Sequence, residues 1–181
     1  AGNPPEYNKS VREFDIVTMD RLKRIDVEPD YAVWKEYAWH YQVHGSILSY
    51  LDVRQQDFYT VESTVDGKSF VTARGWEDLS KMIVLSEELG LPVDHHLTGQ
   101  YLQNARIARE FALYYELYNA YKDQYRIEAI LSGQASEEVI LKAQAAPFDE
   151  RLSLLGLLLD ALGQDMNGCL VDDALVEHRF E

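Results

Sequence analysis

Apolar positions recur at helical spacing through most of this chain, and only one stretch breaks the rhythm. Tyr31, Trp34, Tyr37, Ala38 and Tyr41 fall at three- and four-residue steps behind Asp30, whose side chain can cap a helix, and the pattern stops near Gly45. A second short helix is expected from Ser46 to about Arg54. Trp76, Leu79, Ile83 and Leu89 mark another that closes at Gly90, and Ile107, Phe111, Tyr114, Tyr118 and Tyr121 mark a longer one. Phe148, Leu152, Leu155, Leu159 and Leu162 define the apolar face of a third amphipathic helix, with shorter helices over Asp94–Leu102, Ser136–Ala145 and Val171–Phe180.

The exception lies between Asp57 and Thr72. Phe58, Tyr59, Thr60, Val61, Val65, Phe70 and Val71 are β-branched or aromatic and surround Asp66-Gly67, a dipeptide that tolerates the positive φ of a tight turn. That reads as a small β-hairpin. Before position 30, the run from Ser10 to Leu22 suits a short helix, and Arg24-Ile25-Asp26-Val27 alternates as a strand would until Pro29 stops it. The expected fold is mainly α: a multi-helix, lid-type bundle with a small β-hairpin, behind an N-terminal remnant of an α/β core over residues 1–29. Residues 30–181 form the helical region.

Charge narrows the partners. The chain holds 17 Lys and Arg against 31 Asp and Glu, a net charge of -14 over 181 residues, so its surface repels polyanions and nucleic acid is not an expected partner. Residues 1–29 carry five basic and six acidic residues, so most of the excess falls beyond them. No run approaches the roughly 18–20 apolar residues of a membrane span; Leu152–Leu162 is broken by Ser153, Gly156 and Asp160. One cysteine, Cys169, can form neither an internal disulfide nor a zinc site alone. A soluble cytoplasmic protein is the expectation. Ala1-Gly2-Asn3-Pro4-Pro5 lacks an initiating Met and a secretory pattern, and reads as a cut through a longer chain.

Arg74 is the most informative single residue. Thr72 is a natural N-cap, which puts Arg74 in the first helical turn, where backbone N–H groups already carry partial positive charge. A cation there opposes the helix dipole unless an anion joins it, and amides with a guanidinium fork bind phosphate oxygens well. The bland alternative is a solvated arginine whose stem covers Trp76. Asn3, held by Pro4 and Pro5, could orient a water or a terminal phosphate, and Arg21 on a short exposed helix could reach a neighbouring subunit's nucleotide. The bland alternative there is a proline-rich loop and a basic helix end.

Three ordered stretches give these residues a context. Gly2-Asn3-Pro4-Pro5-Glu6-Tyr7-Asn8, then Val17-Thr18-Met19-Asp20-Arg21-Leu22-Lys23-Arg24-Ile25, then Val71-Thr72-Ala73-Arg74-Gly75-Trp76-Glu77-Asp78-Leu79 resemble successive landmarks of the C-terminal portion of MoxR-type AAA+ ATPases. The resemblance implies that Asn3 is sensor 1, Arg21 the arginine finger and Arg74 sensor 2 on the lid, with Thr72 capping its helix. It also implies a ring, commonly a hexamer, in which ATP and Mg sit between subunits, sensor 2 acts across the subunit boundary, and turnover remodels client proteins or inserts cofactors. The partners implied are the missing AAA+ core, neighbouring subunits and unidentified clients.

Two departures qualify the resemblance. Neither a G-x-x-x-x-G-K-[ST] loop nor an apolar strand ending in Asp-Glu occurs, so this chain alone is expected to hold no nucleotide and turn none over. Thr72-Ala73-Arg74 also replaces the family's Ser-Pro-Arg, keeping the cap and the cation without the proline.

Other signals read as structure. His40 and His44 read as a helix-surface pair without metal, and His95-His96, about 100° apart on a helix, read as unable to chelate one ion easily. Tyr114, Tyr115, Tyr118, Tyr121 and Tyr125 read as core and its edge with hydroxyls in solvent; Glu87-Glu88, Glu137-Glu138 and Asp172-Asp173 read as solvated faces. The competing functional reading is a free-standing acidic helical module that recruits basic protein partners without nucleotide chemistry.

Overall fold

The computed structural model describes residues 16–163 except 22, 24, 26, 65, 66, 149, 152 and 160, together with residue 166. The fold is mainly helical. In chain order come α1 (Ile16–Arg21), α2 (Tyr31–His40), α3 (Gly45–Val53), a 3-10 turn (Gln55–Asp57), β1 (Thr60–Thr64), β2 (Gly67–Val71), α4 (Ala73–Leu89), α5 (His95–Tyr101), α6 (Ala105–Tyr125), α7 (Ile127–Leu131) and α8 (Glu137–Ala145). Residues 153–159 and 161–163 are helical again.

The strands pair antiparallel from Thr60 opposite Val71 to Thr64 opposite Gly67, so the chain reverses between Thr64 and Gly67, and Gly67 itself is the first residue of β2, at φ 132°. Phe70 N–H donates to the Gln103 carbonyl at 2.9 Å and ties the sheet to the segment before α6. Of the expected strand over residues 24–27, Ile25 and Val27 are exposed and outside regular structure, and residues 24 and 26 lie outside the described residues. The expected Ser10–Leu22 helix is seen as α1, and its earlier half lies outside the described residues, as does Val171–Phe180.

Helix ends follow their caps. Asp30 accepts from Val33 N–H at α2, Thr72 from Gly75 N–H at α4, Asn104 from Arg106 and Ile107 N–H at α6, and Ser136 from Val139 N–H at α8. Gly90 ends α4 in the left-handed region at φ 66°, which a residue without a Cβ reaches freely. Helix α2 stops at His40, short of Gly45, because Gln42 turns the chain at φ 54°; Tyr41 is therefore exposed and does not join Trp34 and Ala38 in the core.

Two apolar clusters share α6. The larger one joins Trp34, Ile47, Leu51, Phe58, Val71, Trp76, Ile83 and Phe111 from α2 through the first half of α6. The smaller one gathers Tyr118, Tyr125, Ile127, Leu154 and Leu157. The last helical stretch reverses an expectation: Phe148, Leu155, Leu159 and Leu162 are exposed, whereas Leu154 and Leu157 are buried. Leucines occupy both sides of this helix, so its period cannot choose a face. Glycine does: a Cβ on Gly156 would lie 2.7 Å from Ser49 Oγ, and one on Gly163 would lie 2.8 Å from the Trp39 ring, so the side bearing these glycines meets α2 and α3.

Candidate functional site

The start of α4 is built from three consecutive constraints. Val71 ends β2 fully buried, and Thr72 continues extended at φ -136° and ψ 161° before the chain enters the helix. Thr72 Oγ1 accepts from Gly75 N–H at 3.3 Å, and the Thr72 carbonyl accepts from Trp76 N–H at 3.2 Å. Gly75 comes so close to α5 that a Cβ on it would sit 2.7 Å from the Tyr101 carbonyl oxygen. Trp76 then locks the turn from below: it is fully buried and its indole N–H donates to the Phe58 carbonyl at 3.1 Å.

Arg74 stands on the opposite side of this fixed turn. It is exposed and makes no hydrogen bond or ion pair with any described residue. As the first residues of the helix, Ala73 and Arg74 present N–H groups that have no acceptor within α4. The first turn contains no acidic residue, so nothing in it offsets the positive end of the dipole. Cap, amides and guanidinium thus form an electropositive, rigid turn suited to an anion. Arg21 is exposed as the last residue of α1, where a cation complements the helix dipole. Asn3 lies outside the described residues, so the structure places only Thr72 and Arg74 together.

A second constellation, invisible at helical spacing, centres on His44. It is not on a helix face with His40: α2 has ended, and the His44 ring is nearly buried as the N-cap of α3. Its Nδ1 accepts from Ser46 N–H at 3.2 Å and lies 2.7 Å from Ser46 Oγ. The Nδ1 role leaves Nε2 to carry the hydrogen toward Glu87 Oε1 at 3.3 Å, and Tyr115 OH donates to the same oxygen at 2.8 Å. The hydroxyl, imidazole and carboxylate stand in the order of a nucleophilic relay. Ser46 is fully buried, however, so no substrate carbonyl can reach its hydroxyl and the cluster is a structural clamp between α3, α4 and α6.

The His44 hydrogen bond, aided by that from Tyr115, holds the Glu87 carboxyl at about 2 against an ordinary 4.5. A carboxyl whose pKa is depressed on folding contributes stability that is complete above its unfolded pKa and lost as pH falls toward its folded one. Wild type should therefore hold an advantage in thermal midpoint over Glu87→Gln near neutrality, and that advantage should shrink between pH 4.5 and pH 2. A constant gap through this acidic window would show that the ionised clamp contributes nothing.

Glu87, expected on a solvated face and exposed, is also one of several carboxylates that accept a hydrogen bond from tyrosine. Tyr31 OH donates to Asp52 at 2.8 Å, Tyr50 to Asp57 at 2.8 Å, Tyr37 to Glu77 at 3.3 Å and Tyr125 to Glu150 at 2.6 Å. Acidic side chains and phenols thus satisfy each other along the core boundary.

His95 and His96 begin α5, with ring centroids 4.0 Å apart. Their nitrogens and an Asp94 oxygen lie within 4.8 Å of one another, so the expected divergence around a helix does not separate them. The reason is that helix angle orients Cα–Cβ bonds, and side-chain torsions can bring adjacent rings together. These are the described residues able to converge on a metal. All three are exposed, and Asp94 Oδ1 already accepts from His96 and Leu97 N–H as the α5 cap.

Among the described residues, no helix is long and apolar enough to cross a membrane. Comparison with family models, curated proteins and solved structures found no match to the chain.

Proposed function

We propose that the chain is the C-terminal part of a MoxR-type AAA+ ATPase and that the start of α4 is its sensor-2 turn. The observation that carries this reading is the Thr72–Trp76 turn: a capped, buried-anchored helix start that holds one exposed arginine with no partner among the described residues. The dipole opposes that charge by about 0.3–1 kcal/mol, no acid in the first turn compensates it, and Glu77 and Asp78 in the next turn pair with Lys81. A nucleotide phosphate from a ring neighbour would supply the missing anion. On this reading the intact cytoplasmic protein binds ATP and Mg through a core whose Gly-rich loop and Mg-holding carboxylates this chain does not contain. Arg74 would orient and neutralise phosphate oxygens, the rigid turn would pass nucleotide state to the helices, and the ring would use that movement on client proteins.

Arg74→Ala in the intact ring should lower ATP turnover by about tenfold or more, as loss of a preorganised charge contact does, with the melting behaviour of the helical region unchanged. Arg74→Lys should restore only part of the rate, since a point charge replaces a two-pronged fork. Turnover equal to wild type in Arg74→Ala would remove the sensor role. A reading frame upstream of Ala1 without a Gly-rich loop ending in Lys-Ser or Lys-Thr would remove the ATPase assignment altogether.

A further inference from the structure

An open groove of about 850 Å³ lies between the end of α4, the Gly90–Asp94 connection and α6. Its lining is mostly apolar, with Leu91, Pro92 and Val93 on one side and Ala112 and Leu113 on the other. Leu113 is 63% exposed and Leu91 57%, so the two largest aliphatic groups of the lining are held out of the core by a rigid helix and a proline-containing connection. Arg109, Leu113 and Glu116 follow one another at positions i, i+4 and i+7, which places them in a single stripe along α6. Apolar anchors between charged ends are the pattern of a surface that receives an amphipathic helix.

Charge selects the kind of helix. Glu87, Asp94 and Glu116 line the groove against Arg109, which has no ion pair or hydrogen bond with any described residue, and the imidazole of His95 beside Asp94. Glu87, which accepts from His44 and Tyr115, is kept ionised by that clamp. A second copy of this chain is a poor occupant, since it would bring an equally acidic surface and a further net charge of -14. An uncharged lipid tail would use the apolar floor and leave the carboxylates unanswered.

We propose that this groove docks an amphipathic helix of a partner protein that carries leucine-type anchors and a Lys or Arg directed at Glu87 and Glu116. The leucines would seat against Leu91, Val93 and Leu113, and an acidic residue one or two turns away would meet Arg109. None of Asn3, Arg21, Thr72 or Arg74 takes part, so this site stands or falls separately from the nucleotide reading.

The probe is a fluorescein-labelled peptide of leucine and lysine at helical spacing, titrated with the full chain and followed by anisotropy. Micromolar binding is expected, weakened roughly tenfold by Leu113→Gln and by Glu116→Gln. Both positions are exposed, so circular dichroism should be unchanged. Glu138→Gln, an equal charge change at an exposed site on α8 outside the groove, should alter affinity less than about twofold. A counterpart peptide with glutamate in place of lysine should not bind. Equal losses from Glu116→Gln and Glu138→Gln would reduce the interaction to general charge attraction and overturn the proposal, as would no binding by the wild type. A concentration-dependent dimer abolished by Leu113→Gln would assign the groove to a second copy and overturn it too.

Discussion

Replacing Arg106 with alanine should lower the unfolding free energy by about 3 kcal/mol, the loss expected when a buried carboxylate is stripped of its counter-ion. Asp57 has no exposed surface; its Oδ1 receives Arg106 Nη2 at 2.9 Å and its Oδ2 receives Tyr50 OH at 2.8 Å. The pair is asymmetric. Arg106 is about half exposed and also meets Glu110 at 2.9 Å, so removing Asp57 leaves the guanidinium in water with another partner. Removing Arg106 leaves a charge inside the protein. Asp57→Asn should consequently cost less than Arg106→Ala, and the double variant should be more stable than Arg106→Ala alone, because the stranded charge is gone. Urea unfolding at neutral pH of the two single variants and the double one measures all three. An Arg106→Ala loss below about 1 kcal/mol, the range of surface ion pairs, would place the Asp57 charge in effective contact with solvent and reject the argument.

Trp76→Ala should cost about 3–5 kcal/mol, the range for deleting a large aromatic side chain from a close-packed core. Trp76 meets Phe111 edge-on at 5.3 Å between ring centroids and Tyr50 at 5.8 Å, so it links α4 to α3 and α6 at once. Its indole N–H also satisfies the Phe58 carbonyl between the 3-10 turn and β1. Trp76→Phe should recover most of the packing but leave that carbonyl without its donor, for a residual loss of about 1 kcal/mol. The same variants bear on Arg74, which sits two residues earlier. If the turn must be held rigid for anion recognition, Trp76→Ala should reduce turnover of the intact ring beyond what lost stability explains, and Trp76→Phe should not. Urea midpoints and near-ultraviolet circular dichroism report the packing. A Trp76→Ala midpoint close to wild type would mean that the core reorganises around the gap.

The start of α4 was legible because each of its signals is local. Thr72 finds the Gly75 amide three residues away, and Gly90 ends the helix through its own φ, so neither needs the rest of the molecule. The hairpin over β1 and β2 was legible for the same reason. His44 was not: its spacing from His40 suggests a shared helix face, but the chain turns at Gln42 and sends the imidazole to Glu87, which lies 43 positions on. Arg106 and Asp57 are separated by 49 residues and Tyr37 and Glu77 by 40, distances at which no periodicity carries information. Their pairing depends on which faces of which helices meet. The groove was hidden too, since Leu113 sits on the same helix as the buried Phe111 and Ala112 and differs from them in direction alone.

By itself, the order of residues determined the helical class, the hairpin, the caps of α2 and α4 and the position of Arg74 in a first turn, all set by steric and hydrogen-bonding preferences within about four residues. Only the tertiary structure decided that Leu154 and Leu157 face inward while Leu155 and Leu159 face out, that acidic side chains serve as acceptors for tyrosines, and that Glu87, Leu91 and Leu113 border one groove. Burial and charge pairing are properties of surfaces brought together from distant parts of the chain, and a leucine or a glutamate reads the same in sequence whichever way its Cβ points.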